Sequence, residues 1–157
     1  MTRLGFVLTA ILGLASIGAP AAVAAQDDAG VTGAAEAIFP NGAAFNGVRL
    51  SGLTLGQGLF IGQDGSATGQ FQAVLLGTSW LGLSQDVIVE GNVRAGSLAG
   101  DGSATVSGTA TVNMGDGTAT LLEVPFWVTA STESLGLTLY ATQLPTATLS
   151  AGSITIE

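Results

Sequence analysis

From residue 45 onward, apolar residues alternate with polar or small residues, and turn signals separate the alternating runs. A period of two is typical of strands that bury one face, and no long stretch shows the 3.6-residue period of a helix. The pattern therefore predicts short antiparallel strands. We place them near residues 46–56, 58–62, 66–77, 86–98, 103–114, 118–130, 135–142 and 146–156.

A five-residue motif, Asp-Gly-Ser/Thr-Ala-Thr, recurs at three predicted turns and begins at Asp64, Asp101 and Asp116. Asp-Gly favours hairpin turns because Gly adopts positive φ without steric cost and Asp tolerates it. A dedicated Ca²⁺ loop supplies several acidic ligands, whereas each of these turns offers one carboxylate. We interpret the motif as three turns and predict no metal site.

The loop length at each turn follows from placing apolar residues opposite apolar residues. At the first turn, a three-residue loop pairs Leu55 with Ala73. At the second turn, a two-residue loop pairs Val93 with Ala110. At the third, a three-residue loop pairs Ala110 with Leu122. These registers keep one face of the sheet apolar through successive hairpins.

The predicted apolar face is continuous over three strands, and the opposite face is mostly Thr, Ser, Asn and Gly. About eight strands in sequential order give a single antiparallel up-and-down meander, which closes wholly or partly as a barrel. A β-sandwich is the alternative. The face comprises Val87, Val89, Val93, Val106, Val112, Leu122, Val124, Phe126 and Val128.

Two segments precede the strands. Arg3, an apolar run over residues 4–17 and a small-residue stretch ending at Ala25 form a secretory signal pattern, which predicts cleavage after Ala25. Retention as an anchor is the alternative, although the run is short of the ~20 residues that span a bilayer. Residues 26–44 are rich in Gly, Ala and acid, which predicts a flexible leader with one helical turn near residues 34–38. The β domain then covers residues 45–157, in a protein that is secreted, periplasmic or at the cell surface.

Composition limits the partners. The chain has no Cys, so no disulfide supports the exported fold. It also has no Lys, and after cleavage Arg49 and Arg94 stand against 11 acidic residues, which gives a side-chain charge of −9. Phosphate recognition needs clustered basic residues. We therefore expect neither nucleic acid nor an anionic membrane surface as a partner.

The residue types also leave little catalytic chemistry. Without His, Cys or Lys, the chain has none of the common nucleophile–base pairs, Schiff-base lysines or zinc ligands. Carboxylate pairs remain, but the motif aspartates lie in turns, and Glu90 and Glu123 fall on the polar face. No apolar cleft brings two acids together to raise a pKa. We predict that the protein is not an enzyme and holds no cofactor.

Three aromatic residues are candidates for ligand or partner contact. Trp127 and Tyr140 point away from the core because their neighbours Phe126 and Leu139 point into it. An exposed ring on a sheet can stack on a sugar, and the alternative is that these rings cover one another or a loop. Trp80 is predicted to plug one end of the sheet, with a ligand lid as the alternative.

Three functions fit these observations. The first is a structural or interaction protein that meets another surface macromolecule. The second is a small barrel that carries an apolar molecule inside. The third is an outer-membrane barrel with its apolar face turned to lipid. The residue pattern ranks them in that order and leaves the oligomeric state open.

Overall fold

The computed structural model describes residues 28–157, so the predicted signal segment and its cleavage point lie outside the described residues. The described chain is all-β, with ten strands in one antiparallel sheet. It contains no helix long and apolar enough to cross a membrane. The strands are β1 (Ala29–Ile38), β2 (Ala44–Phe45), β3 (Val48–Ile61), β4 (Ala67–Thr78), β5 (Val87–Leu98), β6 (Ala104–Asn113), β7 (Leu121–Ala130), β8 (Ser134–Leu139), β9 (Thr142–Gln143) and β10 (Ala147–Ile156).

The hydrogen bonds of the sheet form a closed ring. Strands β3 to β8 pair in sequence order, β8 pairs with β10, and β1 pairs with both β10 and β3. The short strands β2 and β9 are additions beside β3 and β8. The predicted all-β, antiparallel up-and-down meander is confirmed, although β3 is one continuous strand where two were predicted.

Strand β1 closes the ring and corrects the prediction of a flexible leader with a helical turn. Its ten residues pair with β3, and residues 31–38 also pair with β10. The segment looks unlike a strand because Ala and Gly have low β-propensity. At Gly33 a larger residue would not fit, since a Cβ there would lie 2.8 Å from the Ser153 carbonyl oxygen. Gly33 therefore lets β1 lie close to β10.

The apolar face of the sheet points into the ring. Eight of the nine residues predicted for that face are buried, and the exception is Leu122, which is 71% exposed. Phe71 and Phe126 stack inside the ring with centroids 5.7 Å apart. The outward positions of the strands are mostly Thr, Ser, Gln and Asn. The interior is therefore a side-chain core.

The first predicted register is confirmed, since Leu55 pairs with Ala73. The second is wrong. Ala99 N–H donates to Ser103 O at 2.8 Å, so the loop has three residues rather than two. Further along, Val93 pairs with Gly108 and the next pair joins Ala95 to Ser107, which leaves Arg94 as an extra residue. The bulge reverses which residues of β5 face inward, and strict alternation across the whole strand cannot describe it.

The third register is also wrong. Residues 113–120 connect Val112 to its partner Leu121, so the connection does not have the predicted three-residue form, and a bulge shifts the register further. Ala110 pairs with Val124 rather than Leu122, and Val112 pairs with Leu121. Strand β7 thus takes three steps where β6 takes two. Glu123 lies in the extra step with φ of 53°, and Leu122 turns outward.

The turns divide between the two ends of the ring. One end, called here the loop end, carries residues 39–47, 79–86, 114–120 and 140–141. The opposite end carries residues 62–66, 99–103 and 131–133. The loop end holds most of the exposed large apolar side chains, and it is the candidate functional surface.

Candidate functional site

The chain between β4 and β5 forms an ordered hairpin arm at the loop end. Ser79 N–H donates to Leu83 O at 2.8 Å, and Gly82 N–H donates to Ser79 O at 2.9 Å. These bonds close a three-residue loop whose first two residues are Trp80 and Leu81. Gly82 completes it with φ of 80°, the conformation that such loops give to Gly.

The base of the arm is tied to the neighbouring turn. Gln85 Nε2 donates to the Met114 carbonyl at 2.8 Å, and Thr78 bridges to Ser84 across the arm. Since both the tip and the base are hydrogen-bonded, the arm holds its tip in a defined place.

Trp80 at the tip of the arm is 82% exposed, so the prediction that it plugs one end of the sheet is wrong. Leu81 and Leu83 beside it are 63% and 65% exposed. The hairpin continues the register of β4 and β5 beyond the ring, which carries these side chains away from the core. Three more large apolar residues are exposed at this end, namely Leu121, Leu122 and Tyr140.

Two surface depressions lie at the loop end on either side of Asn46. The first, the Trp80 depression, has a volume of about 660 Å³ between the arm, the β2–β3 turn and the 115–116 turn. The second, the Tyr140 depression, has a volume of about 320 Å³. Its walls are Phe45, Asn46, Leu121, Leu122, Glu123, Val124, Tyr140 and Thr142.

The Tyr140 depression collects unusual backbone conformations. In residues 28–157, the non-glycine residues with positive φ are Asn46, Glu123 and Tyr140, and all three line this depression. Asn46 needs no special explanation, because Asn46-Gly47 forms a two-residue turn that requires positive φ at both positions. The left-handed region is unfavourable for Glu and Tyr, at about 1–3 kcal/mol each.

The three candidate aromatic residues do not converge. Trp80 and Tyr140 lie on different loops of the loop end and line separate depressions. Trp127 lies on the outer face of β7, where it pairs with Ser107 and Thr138 and is 46% exposed. Trp127 and Tyr140 do point away from the core, as predicted. Their roles in binding remain predictions.

The three Asp-Gly motifs adopt one local structure. In each, the Asp Oδ1 accepts from the backbone N–H and the hydroxyl of the residue two positions on, at 2.9 and 2.5 Å in the Asp64 turn. The partners are Ser66, Ser103 and Thr118. The hydroxyl and then the backbone bond lower the pKa of Asp64, Asp101 and Asp116 below the ordinary 3.8.

The three motif aspartates lack the raised pKa that a general acid requires. The three shifted carboxyl groups are exposed and favour the charged form, whereas a general acid needs a raised pKa. Within residues 28–157, no group of three or more acids lies close enough together to hold a metal ion.

One polar side chain is buried in the core. Gln57 on β3 is 9% exposed and points inward, with Phe71 and Gly33 as its neighbours across the strands. In the described chain, neither its Oε1 nor its Nε2 has a hydrogen-bond partner. A buried amide without partners costs about 1–3 kcal/mol, so Gln57 is a weak point of the core.

The Tyr140 depression is absent from the sequence-based predictions, although one of its parts has a local signal. Asn46-Gly47 lies between Phe45 and Val48, and Asn-Gly between apolar residues is the strongest short signal for a hairpin. The bulge at Glu123 and the turn at Tyr140 carry no such signal.

Comparison with protein-family models, curated proteins and solved structures gives no match for this chain.

Proposed function

We propose that this is an exported, non-enzymatic interaction protein that docks its loop end against an apolar surface of another macromolecule at the cell surface or in the medium. The observation that carries the proposal is the exposure of Trp80, Leu81 and Leu83 on a hydrogen-bonded arm. Large apolar side chains grouped on one surface are typical of interaction sites.

The arm suits binding energetically. Burying one large apolar side chain stabilises a protein or a complex by about 1.5–3 kcal/mol. Because Trp80 is exposed in the free protein, nearly all of this stabilisation is left for the complex. The hydrogen bonds at Ser79 and Gln85 already order the backbone, which reduces the entropy lost on binding. Trp is also among the residues that most often dominate binding energy at interfaces.

The charge pattern narrows the partner. Residues 79–85 carry no charged side chain, while Asp86 and Asp116 lie beside them and the mature chain is strongly acidic. The partner surface should therefore be apolar at its centre, with neutral or basic groups around it.

Two alternative functions receive less support. A carrier needs interior space, and the largest core side chains, among them Phe71, Phe126 and Leu137, have almost no accessible surface. An outer-membrane barrel needs its apolar face toward lipid, whereas this face points inward and the outward strand positions are mostly polar. The interaction hypothesis requires neither condition.

The test is capture of partners from the envelope and medium of the protein's own host. The binding-deficient variant combines Trp80→Ser, Leu81→Ser and Leu83→Ser, and the matched control is Trp127→Ser, which removes an exposed Trp elsewhere. Wild type and control should retain the same defined partner, and the arm variant should lose it. The circular dichroism spectrum of the arm variant should match that of the folded wild type. Equal capture by all three proteins would refute docking through the arm.

A further inference from the structure

We propose that the Tyr140 depression is a binding site for a small cationic molecule with an apolar body, such as an aromatic or alkyl amine. The depression lies across Asn46 from the Trp80 depression. It is a separate surface, so this binding can be present or absent whatever the arm contacts.

The size and lining of the depression fit a small amphiphilic ligand. Its volume of about 320 Å³ lies at the lower end of the range of ligand pockets. Leu121, Leu122 and Val124 supply apolar walls from β7, and Phe45 and Tyr140 supply aromatic ones. Small ligands are commonly held by walls of this kind with a few polar groups that fix orientation.

The conformation of Glu123 builds one side of the depression. Its positive φ lies within the bulge that turns Leu122 outward, where that side chain is 71% exposed. A regular β7 would return Leu122 to the inward face and remove this wall. The unfavourable backbone at Glu123 therefore creates an apolar surface that the free protein does not bury.

Tyr140 contributes an independent observation. It is the first residue of the two-residue turn between Leu139 and Thr142, and its φ is 56°. Turns of this kind normally have Gly, Asn or Asp where φ is positive. Tyr140 N–H donates to Pro125 O at 2.8 Å, which holds the turn against β7, while the side chain is 70% exposed. A bulky ring at a position that favours Gly indicates a role for the ring, and that ring lines the depression.

The charge of the site selects a cation. Glu123 is the charged residue that lines the depression. The face of the Tyr140 ring can attract a cation, because the π electrons of an aromatic ring make its face negative. The net negative charge of the chain adds a long-range electrostatic field that also attracts cations.

The test is an NMR titration of the ¹⁵N-labelled exported chain with tryptamine and with indole-3-acetate, which share an aromatic ring and differ in charge. Tryptamine should shift amide signals of residues 45–46, 121–124 and 140–142, with at least about tenfold higher affinity than indole-3-acetate. Equal affinities, shifts centred on residues 79–83, or no shifts at millimolar probe would each overturn the proposal.

Three variants separate the contributions. Glu123→Gln should weaken tryptamine about threefold to fivefold, as expected for one exposed charge pair, and leave indole-3-acetate unchanged or improved. Tyr140→Gly should weaken tryptamine yet raise the midpoint of thermal unfolding, because it relieves the positive φ. Trp127→Ser, outside the depression, should leave the affinity for tryptamine unchanged. A Tyr140→Gly protein that keeps full affinity would contradict the assigned role of the ring.

Discussion

Phe71 on β4 and Phe126 on β7 stack across the interior of the ring, with centroids 5.7 Å apart and ring planes inclined by 19°. Both side chains are fully buried. The two strands are separated by β5 and β6 in the sheet, and the Phe126 ring lies over Gly91, the β5 residue that pairs with Phe71. The stacked rings occupy space that a ligand-carrying barrel would leave open.

Replacing Phe126 by Ala should destabilise the protein by about 3–5 kcal/mol, because it leaves a cavity in the centre of the core. Phe60 is the matched control, since it is 51% exposed on the outer face of β3. Phe60→Ala should cost well under half as much. Urea denaturation followed by circular dichroism measures both, and equal losses would contradict the assignment of inward and outward faces.

The fold could be predicted where the local pattern is regular. The three-residue turn at Asp64 and its register follow from alternation and Asp-Gly chemistry, and the structure has that register. The other two registers are wrong because the connections after β5 and β6 differ from those predicted, and because bulges at Arg94 and Glu123 each add a residue that reverses the alternation. The position of a bulge depends on how the strands pack in the tertiary structure, and neither Arg nor Glu is a residue type that predicts one.

Strand β1 should be required for stability. Val31 is fully buried and Thr32, its neighbour, is exposed on the opposite face of the same strand. Val31→Asp places an unpaired charge in the core and should cost at least about 3 kcal/mol, whereas Thr32→Asp should have little effect. Thermal unfolding distinguishes the two variants. If β1 were a flexible leader, both substitutions would leave the unfolding midpoint unchanged.

Gln57 offers a stabilising substitution. Gln57→Met keeps a similar side-chain shape and removes the two amide atoms that lack partners, which should raise the free energy of unfolding by about 1–3 kcal/mol. Chemical denaturation measures the change. A loss of stability instead would mean that the amide is satisfied by bound water, and a crystal structure of the wild type would show that water.

Acid should weaken the three Asp-Gly turns. A carboxyl group with a lowered pKa in the folded protein stabilises it above the ordinary value of 3.8, and this stabilisation is lost as the pH falls through the lower folded pKa. Changing Asp64, Asp101 and Asp116 together to Asn keeps an acceptor oxygen and removes the titration. The triple variant should therefore lose less stability than wild type in denaturation curves as the pH falls below 3.8. Parallel curves for the two proteins would contradict the assignment.

The candidate site was less predictable than the fold. Trp80 was selected from the sequence as an aromatic residue in a loop, but its exposure depends on how far the β4–β5 hairpin extends beyond the ring. The Tyr140 depression joins residues 45–46, 121–124 and 140–142, which only the closed ring brings together. No local pattern shows that these segments share one end.

The most direct test of the proposed docking is the fluorescence of Trp80 in a Trp127→Phe background, where it is the single Trp. Alone, this protein should emit as an exposed indole and be quenched readily by acrylamide. Adding the envelope fraction of its own host should shift the emission to shorter wavelength and protect Trp80 from the quencher. Unchanged emission and unchanged quenching, with the same fraction and with the secreted medium, would contradict docking through the arm.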